Sequence, residues 1–168
     1  MTSDARTVLL LDTNVWLDNY LPDRPGSTAA RSLISSAITH GAVLAYPATI
    51  AKDVFYLLER SAKRAIRETT GTVSTEDATA ARAYAWGCLD NMRELATAVG
   101  IDEPDIWLAG KYRQFNSDFE DNLVLAAAER IHADYLVTSD EQLMRHASIA
   151  ALAPKHMTDL LTLKSTAG

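Results

Sequence analysis

The sequence predicts an α/β fold: a three-layer sandwich in which a central, mostly parallel sheet of four to five strands lies between helices. Three observations lead to this prediction. The chain has 168 residues, of which 48% are hydrophobic and 23% charged, which is typical of one globular domain. Short apolar runs alternate with longer segments of helical periodicity. The runs are almost wholly apolar, as in strands buried on both faces of a parallel sheet.

Four segments are predicted as strands. Val8–Leu11 is the clearest, because four apolar residues stand between polar neighbours. Residues 42–46 and Tyr135–Val137 repeat this pattern, and residues 149–153 form a weaker fourth strand. Each strand is followed or preceded by a helical segment, which predicts right-handed crossover connections.

The helices of the first half are predicted from their caps and their apolar spacing. One spans residues 27–40, with Ser27 or Thr28 as its N-cap and Gly41 just beyond its end. The next begins at Pro47 and ends near Gly71, since proline suits a first helical turn and glycine suits a C-cap.

Further helices are predicted in the second half. A long one covers residues 75–99, and Pro104 begins a less regular one. An alanine-rich helix covers residues 118–132, and the last runs from Pro154 to Leu163. We therefore expect one domain over residues 1–163, followed by a polar C-terminal tail over residues 164–168.

Composition also limits which cellular compartment and which binding partners are expected. No apolar run approaches the roughly 20 residues that a membrane crossing needs, and Asp4 lies where a targeting segment would be basic. A single cysteine, Cys88, agrees with a reducing compartment, so we expect a cytoplasmic protein with no membrane partner. The net charge of −6 argues against a protein that coats nucleic acid by charge alone.

Several acidic residues are expected at one edge of the sheet. Asp12 directly follows the first strand, and Asp140 directly follows the strand at residues 135–137. Asp121 opens the helix that leads into that same strand, so it begins where the strands end. Each acid alone also suits a helix cap or an exposed position. Together they repel one another unless some are protonated or a hard cation binds, and an all-oxygen set favours Mg²⁺ or Mn²⁺ over Zn²⁺.

Three segments carry a resemblance to a known family: LLLDTNVWLD, PATIAKDVFYLL and DFEDNLVLAAAERIHADYLVTSDEQL. They resemble the motif set of the PIN-domain nucleases, and in particular the VapC-type toxin ribonucleases of prokaryotes. The resemblance covers nearly the whole chain, and the first and last motifs are specific as a pair. It implies a metal-dependent endoribonuclease that hydrolyses RNA phosphodiester bonds and leaves 5′-phosphate and 3′-hydroxyl ends.

The resemblance also assigns roles by position. It implies that four acids are catalytic and bind Mg²⁺ or Mn²⁺: Asp12, Asp53, Asp121 and Asp140. Four further residues would support them, with Asp118 also a competing ligand: Thr13, Asn14, Asp118 and Thr138. Asp53 is shorter than the Glu that the family often has there. The resemblance further implies three partners, namely RNA, a cognate antitoxin protein and a second copy of the chain as a homodimer.

Two features leave alternatives open. The densest basic run consists of Arg60, Lys63, Arg64 and Arg67. This run is either a substrate-binding track for RNA or an exposed helix face, solvated or facing the antitoxin. Trp16 is either a stacking platform for a base or a core or interface aromatic.

Other functions compete with the nuclease. A phosphatase of the haloacid dehalogenase type needs a second Asp where Asn14 stands, and a receiver domain needs a Lys near the position of Asp140. A non-catalytic PIN-like module that binds RNA or protein is the remaining alternative.

Overall fold

A five-stranded parallel sheet forms the centre of the protein in a computed structural model that describes residues 6–166. The strands are β1 (Val8–Leu11), β2 (Val43–Pro47), β3 (Thr97–Val99), β4 (Tyr135–Val137) and β5 (Ala151–Leu152). Their order is β3-β2-β1-β4-β5, and every neighbouring pair is parallel. The predicted fold class is confirmed.

Eight helices among the described residues cover and connect the strands. They are α1 (Thr13–Tyr20), α2 (Ser27–Thr39), α3 (Ile50–Thr70), α4 (Thr75–Leu95), α5 (Glu103–Tyr112), α6 (Phe119–Arg130), α7 (Glu141–His146) and α8 (Pro154–Thr166). Within residues 6–166, no helix combines the length and the apolarity that crossing a membrane requires.

The strand order reverses between β1 and β4. From β1 the chain moves outward through β2 to β3, and then returns to place β4 and β5 on the other side of β1. In open parallel sheets the carboxyl ends of the strands form a crevice at such a reversal. Leu11 pairs with Val137 there, so the residues that follow β1 and β4 lie next to each other.

The core surrounds the central strand. Leu9, Leu10 and Leu11 are completely buried, as expected for a strand covered by helices on both faces. Trp16 is also completely buried, with its ring 6.0 Å from the Tyr46 ring in an edge-on arrangement. The interpretation of Trp16 as a stacking platform for substrate is therefore wrong, because no face of its ring reaches solvent.

Three short elements were not predicted. Thr97–Val99 is an edge strand paired with β2, not the end of a helix that reaches residue 99. The helices Thr13–Tyr20 and Glu141–His146 begin directly after Asp12 and Asp140. A segment this short carries too little periodicity to be recognised, and only its packing on the sheet selects its structure.

Several predicted boundaries also differ. Pro47 ends β2 instead of beginning α3, which starts at Ile50. The N-cap of α2 is Gly26, without a side-chain hydrogen bond, and not Ser27 or Thr28. The last helix continues beyond Leu163 to Thr166, so part of the predicted polar tail is helical. Residues 1–5 and 167–168 of the predicted domain and tail lie outside the described residues.

Gly26 gives a test of this packing. A Cβ at Gly26 would overlap the carboxylate of Asp18, which is buried and held by Arg24 Nε at 2.5 Å. We expect Gly26→Ala to lower the free energy of unfolding by about 1–3 kcal/mol in urea denaturation. Gly87→Ala is the matched control, since a Cβ there meets nothing within 4 Å in the middle of α4, and it should stabilise slightly. Equal effects of the two substitutions would contradict the packing.

Candidate functional site

Asp12 lies at the carboxyl end of β1 and begins α1. Its Oδ1 accepts a hydrogen bond from the Thr13 backbone N–H at 2.6 Å, which caps the helix. Its Oδ2 accepts from Asn14 Nδ2 at 2.8 Å and from Thr138 Oγ1 at 2.8 Å. Both oxygens of this buried carboxylate are therefore held in place by donors from β1's own loop and from the loop after β4.

Thr138 and Asn14 connect the two loops. The Thr138 hydroxyl accepts from Asn14 Nδ2 at 3.1 Å and from the Asp140 backbone N–H at 3.0 Å. Asn14 Oδ1 accepts from the backbone N–H of Ser139 at 3.1 Å. We call Asp12, Asn14 and Thr138 the loop link, because their side chains join the carboxyl ends of β1 and β4.

Asp140 caps a helix with only one of its two carboxylate oxygens. Its Oδ1 accepts from the backbone N–H groups of Gln142 at 2.7 Å and Leu143 at 3.1 Å, and so caps α7. Among the described residues, no hydrogen bond reaches its Oδ2. Capping and a role in a site are therefore compatible at Asp140, since they use different oxygens.

The start of α6 brings further acids to the same crevice. Asp118 caps this helix by accepting from the backbone N–H groups of Glu120 at 2.9 Å and Asp121 at 3.1 Å. Asp121 is half-buried, and its Oδ2 accepts from Asn116 Nδ2 at 3.1 Å. Asn116 is itself buried, and its backbone carbonyl oxygen accepts a hydrogen bond from Asn122 Nδ2 at 2.9 Å. Two asparagines thus position the third acid.

Asp53 faces the start of α6 from the first turn of α3. A side-chain hydrogen bond with Asp53, followed by burial and the charges of Asp53 and Asp118, raises the pKa of Glu120 to about 7. Lys52 Nζ lies 3.3 Å from Asp53 Oδ1. The sequence prediction included Asp53 but not Glu120, although Glu120 stands beside Asp121 in the acidic start of α6. Only the approach of α3 to α6 distinguishes it from an exposed helical acid.

The electrostatics of the crevice disfavour negative charge. Burial, and to a smaller extent the charges of Asp121 and Asp140, raise the pKa of Asp12 despite the hydrogen bonds from Thr138 and Thr13, which lower it. Burial likewise raises the pKa of Asp121, with the charges of Asp118 and Asp140 adding to the effect. Hydrogen bonding to Asn116 and the charge of His146 act in the opposite direction on Asp121.

These acids surround a groove of about 460 Å³, here called the acidic groove. Its wall contains Asp12, Thr13, Asn14, Leu17, Asp53, Tyr56, Leu57, Asp118, Glu120, Asp121 and Val124. Asp140 does not line it but lies near enough to influence Asp12 and Asp121 electrostatically.

The donor set of the acidic groove suits a hard cation. Within the part of the chain that the structure describes, no three acidic, histidine or cysteine side chains converge closely enough to hold an ion as they stand. The side chains that follow β1 and β4 and those that open α6 nevertheless offer oxygen donors, and none of their carboxylates forms an ion pair among the described residues. Oxygen donors and uncompensated charge fit Mg²⁺ or Mn²⁺ better than Zn²⁺.

A larger groove of about 920 Å³ adjoins the acidic groove and is called the basic groove. The predicted basic run lies along it: Arg60, Lys63, Arg64 and Arg67. Leu17, Tyr56 and Leu57 line both grooves, so the two adjoin at these side chains.

The loop link leads to a prediction. We expect Thr138→Val to lower the free energy of unfolding by about 1–3 kcal/mol, because a buried hydroxyl that satisfies Asp12 and Asp140 is lost. That hydrogen bond favours the charged form of Asp12, so the loss should be larger at pH 7 than at pH 4. Urea denaturation at both pH values measures this.

Thr138→Ser is the matched control, since it keeps the hydroxyl and removes only a methyl group. A Thr138→Val variant that matches Thr138→Ser at both pH values would show that the hydroxyl does not hold Asp12.

The comparisons with known proteins agree with this geometry. Residues 8–142 match the PIN domain family. The crystal structure of PAE2754 from Pyrobaculum aerophilum has a similar fold, with a TM-score of 0.59 and 16% sequence identity over 94% of this chain and 96% of that chain. No curated protein sequence matches the chain. The family match runs from β1 into α7 and covers most of the sequence, and this protein therefore belongs to the PIN domain family, whose members are generally metal-dependent nucleases.

Proposed function

We propose that this protein is a metal-dependent endoribonuclease that hydrolyses RNA phosphodiester bonds and acts as the toxin of a toxin–antitoxin pair. One observation carries the proposal: the buried Asp12 and the half-buried Asp121 face one groove at the reversal of the strand order, with Asp140 beside them. Burial is the main cause of the raised pKa values of Asp12 and Asp121, and it outweighs the opposing charge of His146 on Asp121. A phosphodiester substrate could not approach such a groove unless a cation first balanced these charges.

Asp12, Asp121 and Asp140 would hold Mg²⁺ or Mn²⁺, with Asp53 on the facing wall. A bound ion of this kind supplies a hydroxide nucleophile at neutral pH and neutralises charge that develops on the phosphate. The chain itself supplies orientation, because Thr138 and Asn14 hold the Asp12 carboxylate. In the same way, Asn116 holds Asp121.

The toxin role adds two partners to the proposal. An antitoxin segment with basic side chains would complement the acidic groove, and a second copy of the chain would form a homodimer. Exposed aromatic rings such as Trp86 and Trp107 are available for protein contacts. Co-purification with the product of the adjacent gene tests the antitoxin, and sedimentation of the purified chain tests the homodimer.

A non-catalytic binding module is the second candidate. It is favoured by the lack of three converging metal donors among the described residues. The two candidates differ in turnover and not in binding, so a cleavage assay separates them.

Removal of divalent ions by a chelator tests the proposed metal dependence. We expect the purified protein to cleave an unstructured RNA in Mg²⁺ or Mn²⁺, to lose activity in EDTA and to recover it when Mn²⁺ is added back in excess. Gel analysis with end-group labelling should show 5′-phosphate and 3′-hydroxyl products. Cleavage that is unchanged in EDTA would refute metal dependence, and binding without any cleavage in Mn²⁺ would favour the non-catalytic module.

Asp121→Asn is the sharpest test of the ligand set. Asp12 is less suitable for this test, because an amide there cannot accept all the hydrogen bonds that its carboxylate accepts. At Asp121, an Asn can still accept the bond from Asn116. We expect Asp121→Asn to reduce cleavage at least 100-fold without lowering the melting temperature, since each lost transition-state interaction of about 3 kcal/mol costs a factor of this size.

The pH dependence of stability supplies the control. Folding raises the pKa of Asp121, so the folded state binds a proton more tightly than the unfolded state does. Ionisation of Asp121 therefore costs stability as the pH rises above about 4. In EDTA, the stability of Asp121→Asn relative to wild type should increase from pH 4 to pH 7. A relative stability that falls over this range would contradict the assignment.

A further inference from the structure

One face of α3 carries an ordered series of side chains from the acidic groove into the basic groove. We propose that a single RNA strand follows this face, with its phosphates against Arg60, Arg64 and Arg67 and with one base stacked on Tyr56. This inference rests on the proposed nuclease function and names the path and the strandedness of its substrate.

The spacing along α3 places these residues on one side of the helix. Asp53, Leu57, Arg60, Arg64 and Arg67 follow one another at intervals of three or four residues, which is the repeat of a helix face. Asp53 and Arg67 are 14 positions apart, which corresponds to about 21 Å along the helix axis. Asp53 faces Glu120 in the acidic groove, and the three arginines line the basic groove.

The ion pairs show which cations are available to a phosphate. Lys63 Nζ lies 2.6 Å from the buried Glu59 and is thereby engaged in the packing of α3. Arg64 makes only an exposed pair with Glu68 at 3.7 Å, which is a weak interaction in water. Within residues 6–166, no acidic side chain pairs with Arg60 or Arg67. The track therefore consists of three arginines, and the lysine of the predicted basic run is structural.

Tyr56 stands at the junction of the two grooves. Its side chain lines both, and the residue is 60% exposed. The ring of Phe55 supports it at 5.2 Å in an edge-on arrangement and is itself 4.9 Å from the ring of Trp86. An exposed, supported ring next to a line of cations is the arrangement that binds single strands, because bases stack on the ring while phosphates meet the cations.

The stacked base favours a single strand over a duplex. In a duplex the faces of the bases are covered by their neighbours, so Tyr56 could not reach one without unstacking it. An acidic peptide would also meet the three arginines. The exposed ring beside them favours RNA, because it offers a stacking surface for a base within reach of cations that meet the phosphates.

Binding to labelled oligonucleotides tests the proposal. The full chain carrying Asp121→Asn, which is expected not to cleave, is titrated into a fluorescein-labelled 12-nucleotide oligouridylate and into an RNA duplex of equal length. Fluorescence anisotropy in Mn²⁺ is followed between 50 and 300 mM salt. The same titration with an oligodeoxythymidylate shows whether the path accepts DNA.

The arginine track is tested by a charge-matched pair of variants. The test variant combines three substitutions, Arg60→Ala, Arg64→Ala and Arg67→Ala. It should bind the single strand at least tenfold more weakly, and the slope of the logarithm of the association constant against the logarithm of the salt concentration should fall by about 2. The control combines Arg31→Ala, Arg93→Ala and Lys155→Ala, which removes the same charge from exposed positions elsewhere, and should stay within twofold of the parent. Equal losses in both triple variants would overturn the track.

The stacking site is tested by a second pair. Tyr56→Ala should weaken single-strand binding about fivefold or more, whereas Tyr56→Phe should stay within twofold because the ring is kept. Binding of the duplex should be weaker than that of the single strand and unaffected by either change. The proposal that a base stacks on Tyr56 would be refuted if Tyr56→Phe bound the single strand as weakly as Tyr56→Ala. It would also be refuted if the protein bound the duplex more tightly than the single strand.

Cleavage by the wild-type chain keeps this inference separate from the proposed function. If the wild type cleaves RNA but the arginine and Tyr56 variants bind it normally, the proposed RNA path is refuted and the proposed nuclease function is not. If the wild type binds RNA along this path but does not cleave it in Mn²⁺, the nuclease function is refuted and the RNA path is not.

Discussion

The hydrogen bonds between Asp12, Asn14 and Thr138 are the constraint on which the rest of the site depends. They join the loop after β1 to the loop after β4 at the point where the strand order reverses. A parallel sheet brings the ends of these two strands together, and the backbone N–H of Asp12 still donates to the Val137 carbonyl oxygen at 3.0 Å. Beyond that bond the loop link continues the connection through side chains, and so determines where the carboxylate of Asp12 stands relative to the other acids.

Three of the acids combine capping with a position at the site. Asp12, Asp118 and Asp140 each use Oδ1 to satisfy backbone N–H groups at the start of a helix. Capping stabilises each helix and also orients its carboxylate, so the same hydrogen bonds serve folding and function. The cost appears in the pKa values of Asp12 and Asp121, which burial raises.

The two grooves separate the charges of this acidic protein. The net charge of −6 is distributed unevenly, since acids from α6 and the strand ends face one groove and arginines of α3 line the next. A single helix carries Asp53 into the first groove and three arginines along the second. Local charge, and not the total, therefore governs what this surface attracts.

The sequence by itself determined four of the five strands, their alternation with the longer helices, and the position of Asp12 and Asp140 at strand ends. Buried parallel strands read as short apolar runs, and their ends lie on one edge. It also indicated Asp121 through the helix that begins at that edge. The tertiary structure alone decided that Trp16 is buried and Tyr56 exposed, and that Glu120 meets Asp53. Each of these depends on how separate elements pack against one another in space, and helical periodicity specifies which residues share a face but not what that face contacts.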